Sequence, residues 1–424
     1  MTRRQLCFTF LSVVLAVVSN FDCETSAGDW SGFRGPHGTG IAQETALPTE
    51  WSKTKNVKWR MPLPGPGNSS PIVSNGRVFI TCAEENGTKR NLYCLDRKTG
   101  KPLWVQTVVY EKPEKMHKTN PYCGSTPAAD GKRVVVWHGS AGLFCYDFSG
   151  KELWKADLGE FTHIWGYGSS PVLHDEKIYL NCGPGKRTFL IAIDLNTGKE
   201  LWKKDEPGGA DTRNPRMVGS WSTPVIAKVN GEFQVICSMP TRVVAYQPDS
   251  GKILWTLDGL RGPNGDLVYT SPLISGNIGV TMSGYTGPIV AFKLGGRGNV
   301  TKTNTLWKSK GKQPQRIGSG VIIGQHIFMA NAGPGTAQCF DLKTGNVKWQ
   351  TRLAAAAHWG SLCYVDNKLY VTNQAGTTFV FHPNPDEFEL IARNSLGEPS
   401  NSTPAFSNGE IFLRTSKAIY CISK

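Results

Sequence analysis

Nine aromatic or basic residues stand in short segments that come just before a recurring Ser/Thr-Pro or Gly-Ser step. They are His163, Trp165, Tyr167, Arg216, Trp221, Tyr269, Arg316, His358 and Trp359. If the fold gathers these segments at one opening, arginine and tryptophan together suit a planar anionic ligand or an acidic peptide, through stacking and charge-assisted hydrogen bonds. The alternative is that the rings only fill the opening, because Trp165, Trp221 and Trp359 all stand within a few residues before their steps.

Other kinds of chemistry find little support in the residues. The sequence has no G-x-S-x-G motif, no H-E-x-x-H pair, no phosphate-binding loop and no C-x-x-C pair. We therefore predict no metal site, and we expect His163 and His358 to be structural. Paired carboxylates for glycoside hydrolysis stay open, because they depend on distances that a sequence does not contain.

The elements that must position these residues repeat along the chain. Residues 191–202, IAIDLNTGKELW, predict an apolar strand, a tight turn at Gly198 and a second strand that ends in Trp202. Glycine gives the turn its backbone freedom, and the alternating apolar residues indicate half-buried strands. Similar hairpins end at Trp104, Trp154, Trp255 and Trp349, and a degraded copy begins at Ile289 and reaches Trp307.

A second marker precedes each hairpin, a Ser/Thr-Pro step that opens an apolar strand. It stands at Pro71, Pro127, Pro171, Pro224, Pro272 and Pro404, with Ser319 and Ser361 in the two gaps of the series. A spacing of about 40 to 55 residues, filled with short strands and Gly/Pro turns, is typical of a β-propeller. Eight markers predict eight blades of four antiparallel strands. A strand at 57–60 is predicted to complete the last blade and close the ring.

These repeats resemble a known family. The pattern A/C-x-D-x-x-T-G-K-x-x-W is similar to the repeat of the pyrroloquinoline-quinone (PQQ)-like eight-bladed propellers. That superfamily includes the quinoprotein alcohol dehydrogenases and BamB, a lipoprotein of the outer-membrane barrel-assembly machinery. The resemblance covers residues 57–424. It implies that the repeated tryptophans pack between blades and are structural: Trp59, Trp104, Trp154, Trp202, Trp255, Trp307 and Trp349.

The resemblance also implies what a quinoprotein dehydrogenase would need. Its members stack an aromatic residue on the quinone, hold a calcium ion with acidic and amide side chains, and use an Asp as base. Trp165 or Trp221 could stack, and Arg216 or Arg316 could meet the cofactor carboxylates. Carboxylates near the predicted opening are few, namely Asp211, Asp266 and Glu398. The adjacent cysteine pair of the alcohol dehydrogenases is absent, so PQQ with Ca²⁺ is expected only under the alternative function.

The N-terminal residues predict export. Residues 1–27 are typical of a signal peptide, with a basic start and an apolar run at 6–18 that is too short to span a membrane. Cys23 is not preceded by the small and aliphatic residues of a lipidation site, so we expect no lipid anchor and no transmembrane segment after cleavage. The leader at 28–56 lacks strand alternation and is expected to pack on one face of the propeller at 57–424.

The net charge is also consistent with an exported binding protein. The net charge of +14 suits an anionic partner, and export argues against nucleic acid. The alternative is a surface tuned for solubility.

Small residues share one position of the repeat, which indicates core packing rather than redox chemistry for its cysteines. That position holds Cys94, Cys145, Cys339, Cys421, Ala192, Ala245 and Ala291.

We therefore expect an all-β, eight-bladed propeller that acts without catalysis, as a binding scaffold of the cell envelope, either periplasmic or secreted. It would hold an envelope protein or an anionic polymer at the channel mouth or on the loops between blades, and we expect a monomer. The alternatives are a PQQ-dependent dehydrogenase that oxidises an alcohol or a sugar, and a polysaccharide-binding or polysaccharide-active protein.

Overall fold

The computed structural model describes residues 28–185, 187–206 and 217–424. The predicted signal peptide with Cys23 lies outside the described residues, as do Asp211 and Arg216. Across the described part of the chain, the strands form eight blades of four strands each. The predicted all-β, eight-bladed class is therefore confirmed. In these same ranges, the structure contains no helix with the length and apolar character that a membrane crossing needs.

The strands are numbered in chain order. Two precede the first blade, β1 (Ile41–Ala42) and β2 (Val57–Pro62). Blade 1 contains β3 (Ile72–Ser74), β4 (Arg77–Glu84), β5 (Lys89–Asp96) and β6 (Pro102–Val109). Blade 2 contains β7 (Ala128–Ala129), β8 (Arg133–Trp137), β9 (Leu143–Asp147) and β10 (Glu152–Ala156). Blade 3 contains β11 (Val172–His174), β12 (Lys177–Cys182), β13 (Phe189–Asp194) and β14 (Glu200–Asp205). After β15 (Val218–Ser220), blade 4 contains β16 (Val225–Val229), β17 (Glu232–Ser238), β18 (Arg242–Tyr246) and β19 (Ile253–Asp258).

The second half of the ring follows the same plan. After β20 (Asp266–Val268), blade 5 contains β21 (Leu273–Ser275), β22 (Ile278–Met282), β23 (Ile289–Lys293) and, beyond β24 (Gly298–Asn299) and α1 (Thr301–Asn304), β25 (Thr305–Lys308). Blade 6 contains β26 (Val321–Ile323), β27 (His326–Ala330), β28 (Thr336–Asp341) and β29 (Val347–Arg352). Blade 7 contains β30 (Cys363–Val365), β31 (Lys368–Thr372), β32 (Thr377–Phe381) and β33 (Leu390–Ser395). Blade 8 contains β34 (Ala405–Ser407), β35 (Glu410–Arg414), β36 (Ala418–Ile422) and β2.

The two ends of the described chain meet in blade 8. Consecutive strands pair antiparallel within each blade, and the outer strand of blade 8 is β2, which pairs antiparallel with β36. Trp59 lies opposite Cys421 in this pairing, and Arg60 Nε donates to the hydroxyl of Tyr420 at 2.9 Å. Residues before the first blade thus complete the last one.

Six of the seven repeated tryptophans connect their blade to the next. Trp154 Nε1 donates to the carbonyl of Leu195 at 2.9 Å, and Trp202 Nε1 donates to that of Pro248 at 2.7 Å. The turn glycine of the next blade lies against the same ring. Gly198 has a φ of 71°, and a Cβ there would come within 2.6 Å of the Trp154 ring. Glycine therefore serves the turn and the close approach together. Equivalent indole bonds are made by Trp59, Trp104, Trp307 and Trp349.

A small residue lies opposite each tryptophan on the neighbouring strand. Cys94 is the partner of Trp104, and Cys145 is the partner of Trp154. Alanine takes this place in other blades, for example opposite Trp202. All nine cysteines of the described residues are buried and free of disulfides. Their environment is that of compact core side chains, as the shared Ala/Cys position predicts for four of them.

The Ser and Thr residues of the eight steps form a hydroxyl ring around the channel, in which seven of the eight neighbouring pairs share a described hydrogen bond. The Ser70 N–H donates to Thr126 Oγ1 at 2.9 Å, and the Thr403 N–H donates to Ser70 Oγ at 3.0 Å. Equivalent bonds run from Thr126 to Ser170, Ser170 to Thr223, Ser271 to Ser319, Ser319 to Ser361, and Ser361 to Thr403. A buried N–H without a partner is destabilising, so a hydroxyl is needed at this position even in the repeats that lack the proline.

Blade 4 departs from the pattern because the hairpin of blade 5 is degraded. An insertion with β24 and α1 follows β23, where other repeats have a T-G-K turn. The indole of Trp255 donates instead to Gln234 Oε1 at 2.8 Å. β24 pairs in parallel with β19 and covers the outer edge of blade 4.

The leader crosses the face of the ring that bears the turns between first and second strands. Trp30 exchanges two backbone hydrogen bonds with Val73 in blade 1, and β1 pairs in parallel with β30 in blade 7. Between these contacts the buried Arg34 donates to the carbonyl of Gly320 in blade 6. The leader thus spans the ring on this face and reaches the central channel.

Candidate functional site

A cavity of about 400 Å³ occupies the central channel above the leader. Its lining includes Phe33 of the leader and members of the hydroxyl ring, namely Ser70, Thr126, Ser319, Ser361 and Thr403. The leader therefore closes one end of the channel, and the loops before each Ser/Thr step surround the other. A volume of this size suits a small ligand or a single residue of a larger one.

Aromatic rings from several loops form one part of the lining. The rings of Trp165 and Tyr285 are stacked, with centroids 6.1 Å apart. The ring of Trp221 lies 6.1 Å from that of Trp165 and 5.1 Å from that of Tyr269. Trp221 Nε1 donates to a backbone carbonyl at 2.9 Å, which holds the orientation of its ring. Together with Trp359, these residues offer flat apolar surface to a ring-shaped ligand.

Amide side chains form another part of the lining, and their positions are held by hydrogen bonds. Asn120 Nδ2 donates to the carbonyl of Trp165 at 2.7 Å. Asn68 Nδ2 and Asn401 Nδ2 both donate to the carbonyl of Thr119, at 2.9 and 3.1 Å. Other polar lining residues are His117 and Gln315. The cavity therefore presents hydrogen-bond donors and acceptors beside its aromatic rings.

A buried ion pair holds the loop at 110–122, which carries three of the lining residues. Arg90 of β5 donates to Glu114 through two nitrogens, with 3.1 Å between Nη1 and Oε1. The Arg90 guanidinium lies 5.2 Å from the ring centroid of Tyr110 and 5.0 Å from that of Tyr122. Since the pair is buried and has ring contacts, it anchors this loop to blade 1.

The structure divides the nine predicted site residues into two groups. Four of them line the cavity, namely Trp165, Trp221, Tyr269 and Trp359. Four others are buried behind the lining, namely His163, Tyr167, Arg316 and His358. Arg216 lies outside the described residues. The predicted gathering of basic side chains at the opening is therefore corrected for Arg316, which does not face the cavity.

The direction of each side chain along its loop explains this division. Tyr167 packs against Trp137, with ring centroids 5.0 Å apart, and so points into a blade. Arg316 stands between two lining residues but points the opposite way, where Nη2 donates to Gln338 Oε1 at 3.2 Å and the guanidinium lies 5.8 Å from the Phe340 ring. Neighbours in an extended segment face opposite sides, which loop position alone does not reveal.

Sequence reasoning missed the amide residues, His117 and the rings of Phe33 and Tyr285. Asn120, Gln315 and Asn401 stand in the short segments that come before the Ser/Thr steps, in NPYCG, QRIG and EPSN, and only QRIG contributed a predicted residue. A choice restricted to charged and aromatic residues passes over them. Tyr285 lies between β22 and β23, in a loop that reaches the same mouth of the channel. The propeller pattern itself could have indicated this second set of loops.

Three buried arginines surround the cavity behind its lining. Arg34 follows Phe33, Arg316 lies between lining residues, and Arg414 Nη1 donates to Ser69 Oγ at 3.0 Å. Their described partners are carbonyl, hydroxyl and amide oxygens rather than carboxylates. Burial lowers the pKa of Arg316 to about 9 and that of Arg34 to about 10, so both stay protonated at neutral pH. Their charge gives the cavity a positive potential.

The described lining offers the amide donors of a calcium-quinone site but not its acidic donors. Within the described part of the chain, no Asp, Glu, Lys or Arg lines the cavity. Glu398 pairs with Arg60 at 3.0 Å and Asp266 with Arg261 at 3.2 Å, both away from the lining. Calcium sites in proteins combine carboxylate oxygens with amide, backbone and water oxygens, and the carboxylates supply the opposite charge. The described residues contain no group of three or more His, Cys, Asp or Glu that could hold a metal ion.

Comparison with known proteins assigns the family. The chain matches the family model described as outer membrane protein assembly factor BamB over residues 40–114 and 88–351. Among curated proteins it is similar to the polyvinylalcohol dehydrogenase of Sphingopyxis sp. (strain 113P3), with 24% identity over 277 residues. These residues make up 56% of this chain and 41% of that protein. The chain thus spans less than half the length of this relative.

Solved structures show the same fold. BamB from Moraxella catarrhalis is 14% identical with a TM-score of 0.61, over 86% of this chain and 99% of that chain. Quinohemoprotein alcohol dehydrogenase from Comamonas testosteroni is 12% identical with a TM-score of 0.63, over 94% of this chain and 82% of that chain. At these identities the likeness concerns the fold alone. Because the family model matches more than half of the chain, this protein belongs to the BamB-type family of PQQ-like β-propellers.

Proposed function

We propose that this chain is a non-catalytic binding propeller of the cell envelope, which takes an anionic, ring-shaped ligand in the channel cavity. One observation carries the proposal. The cavity combines aromatic rings and uncharged hydrogen-bonding groups with three buried guanidinium groups behind them.

The aromatic rings favour a ligand with a flat face. Stacking of a ring on a tryptophan or tyrosine contributes roughly 1–3 kcal/mol in other binding sites. Trp165 and Trp221 already hold fixed orientations through ring contacts and a hydrogen bond, so little side-chain entropy is lost when a ligand enters. The amides of Asn68, Asn120 and Asn401 can then bond to polar substituents at its rim.

The buried arginines favour negative charge on that ligand. Two opposite unit charges about 8 Å apart attract by about 2 kcal/mol at the effective dielectric of a protein interior. Arg34, Arg316 and Arg414 have no carboxylate among their described hydrogen-bond partners. A carboxylate or sulfate group in the cavity would supply the missing charge.

The second candidate is a PQQ-dependent dehydrogenase. Similarity to a polyvinylalcohol dehydrogenase favours it, as does an aromatic cavity in the channel. The absence of carboxylates from the described lining counts against it, since calcium and a general base would both need them.

Export to the envelope rests on the N-terminal residue pattern and on the family, and the charge of +14 would strengthen attraction to anionic ligands there.

Titration of the purified mature chain separates the two functions. Tryptophan fluorescence is followed with PQQ, with an oligogalacturonate and with a neutral galactose oligomer, each with and without Ca²⁺. Dye-linked oxidation of alcohols is measured in the same samples. We expect saturable quenching by the anionic ligands without Ca²⁺ and without turnover, and weaker binding of the neutral oligomer by tenfold or more.

Two variants test whether the ligand binds in the cavity. Trp165→Ala should weaken binding by about tenfold, because a stacking surface is lost. The matched control is Trp349→Phe on the perimeter, which removes a tryptophan far from the lining and should leave affinity unchanged. Equal affinity for neutral and anionic ligands would contradict the proposal, and Ca²⁺-dependent binding with turnover would establish the dehydrogenase.

A further inference from the structure

The outer strand of blade 1 differs from the outer strands of the other blades. β6 reads PLWVQTVV and has no charged residue over its eight positions. The outer strands of the other seven blades all contain charged residues, namely β10, β14, β19, β25, β29, β33 and β2. Charged residues on an outer strand, lysine above all, oppose pairing with another chain. β6 lacks that protection.

The free edge of β6 also carries apolar side chains. Leu103, Val105 and Val109 are 50%, 39% and 56% exposed. The Tyr110 N–H donates inward to Thr88, and backbone groups alternate along a strand, so the N–H and C=O groups of Val105 and Val109 point outward. Unpaired backbone groups and exposed apolar side chains therefore belong to the same residues.

The sequence around β6 is complementary to itself in the antiparallel direction. If two copies pair about Gln106, Leu103 of one copy lies opposite Val109 of the other, and Val105 lies opposite Thr107. The same register sets Lys101 against Glu111 at both ends of the paired segment. Both charged residues are exposed, so each is accessible to the opposite charge on a second copy.

This register also agrees with the direction of the backbone. Val105 and Thr107 both have outward-facing backbone groups, and the register about Gln106 sets each opposite the other on the second copy. Leu103, the partner of Val109, stands at the β-bulge of the strand. The side chain of Gln106 is engaged elsewhere, since Nε2 donates to the carbonyl of Gly150 in blade 2 at 2.6 Å. Pairing through the edge therefore disturbs no contact between blades.

We propose that two copies of this chain associate through their β6 edges, in an antiparallel pair centred on Gln106 and bounded by Lys101–Glu111 contacts. Blade 1 of each copy would then form one continuous eight-stranded sheet across the two-fold axis. Blade 4 shows within one chain how such an edge is covered, since β24 pairs along β19. A contact along a single strand pair is small, so the dimer is expected to form at micromolar concentrations.

Sedimentation velocity over a series of protein concentrations tests this association. The wild-type chain should shift from monomer to dimer as its concentration rises. Val105→Lys should raise the dimer dissociation constant at least tenfold, because it sets a charge on the paired edge. Val347→Lys on β29 is the matched control, since Val347 is also exposed on an outer strand, and it should leave the association unchanged.

Charge reversal tests the register itself. Lys101→Glu alone should weaken the dimer, because two carboxylates would then face each other at both ends of the paired segment. Lys101→Glu combined with Glu111→Lys should restore it, since opposite charges again meet across the axis. A wild-type chain that stays monomeric at every concentration would overturn the proposal. So would a double variant that stays folded by circular dichroism but fails to regain dimerisation.

Discussion

The perimeter of the ring and the mouth of the channel are built in different ways. At the perimeter, one set of contacts recurs: an indole bond to the next blade, a glycine against the ring, and a small residue on the neighbouring strand. At the mouth, Asn120, Trp165, Trp221, Tyr285 and Trp359 come from different loops and make different contacts. Repetition therefore specifies the scaffold, whereas departures from the repeat build the cavity.

The comparison is sharpest where a perimeter tryptophan is removed. Trp154→Ala should lower the free energy of unfolding by about 3–5 kcal/mol, because a buried ring and its bond to Leu195 are both lost. Chemical denaturation followed by circular dichroism measures the change. Trp165→Ala at the mouth is the matched variant and should cost about 1 kcal/mol or less, since Trp165 is only partly buried. Equal losses in the two variants would remove the distinction between the regions.

The wall behind the mouth should make stability depend on pH. Burial lowers the pKa of His358 to about 4, below its usual value of 6.5. Between these values the unfolded chain binds a proton that the folded chain does not. The contribution of neutral His358 to the free energy of unfolding is therefore complete above pH 6.5. It is lost as pH falls toward 4, by about 3 kcal/mol.

The variant His358→Gln tests the origin of this loss. Its unfolding free energy, measured by denaturation between pH 7 and 4, should fall less steeply than that of the wild-type chain. The slope should not vanish, because burial also lowers the pKa of His138, to about 3. Trp154→Ala should lower stability without changing the slope, since tryptophan does not titrate. An unchanged slope in His358→Gln would show that other groups carry the dependence.

The hydroxyl ring lies between the two regions and should give an intermediate effect. Thr126→Val removes the oxygen that accepts the Ser70 N–H at 2.9 Å and leaves that group buried without a partner. The expected loss is about 1–3 kcal/mol in unfolding free energy. Thr126→Ser keeps the oxygen and should recover most of the stability. If the two variants are equally destabilised, lost packing rather than the hydrogen bond explains the effect.

The exposed turns should give the smallest effect. Asp194 Oδ1 accepts the backbone N–H of Thr197 at 2.7 Å and its hydroxyl at 2.8 Å, and these bonds hold the pKa of Asp194 below its usual value. Asp194→Ala should cost about 0.5–1.5 kcal/mol, measured by denaturation. Asp194→Asn keeps an acceptor and is the control. A loss as large as that of Trp154→Ala would mean that the turns, and not the rings, hold the blades together.

Fold and site differ in how far the sequence predicts them. Gly198 and Trp202 recur at one spacing, so a single physical role explains every copy, and the eight Ser/Thr or Gly-Ser steps give the blade count. Trp165 and Arg316 both stand a few residues before a Ser/Thr step, yet Trp165 faces the cavity and Arg316 faces Gln338. That choice depends on the local direction of an irregular loop, which no periodicity specifies. The amides were not predicted because an Asn or Gln in a loop indicates no particular role until the residues around it are known.

The closing of the ring by β2 sets the order of assembly. Arg60 and Tyr420 are 360 residues apart in the chain and yet share a hydrogen bond. Bringing such distant segments together costs about 5 kcal/mol of chain entropy, and contacts of this span slow folding. A strand that the ribosome makes early must therefore wait for a partner made late, and until then β2 has no partner and β36 of the last blade presents an open edge. Chaperones that shield unpaired strands would bind the chain during this interval.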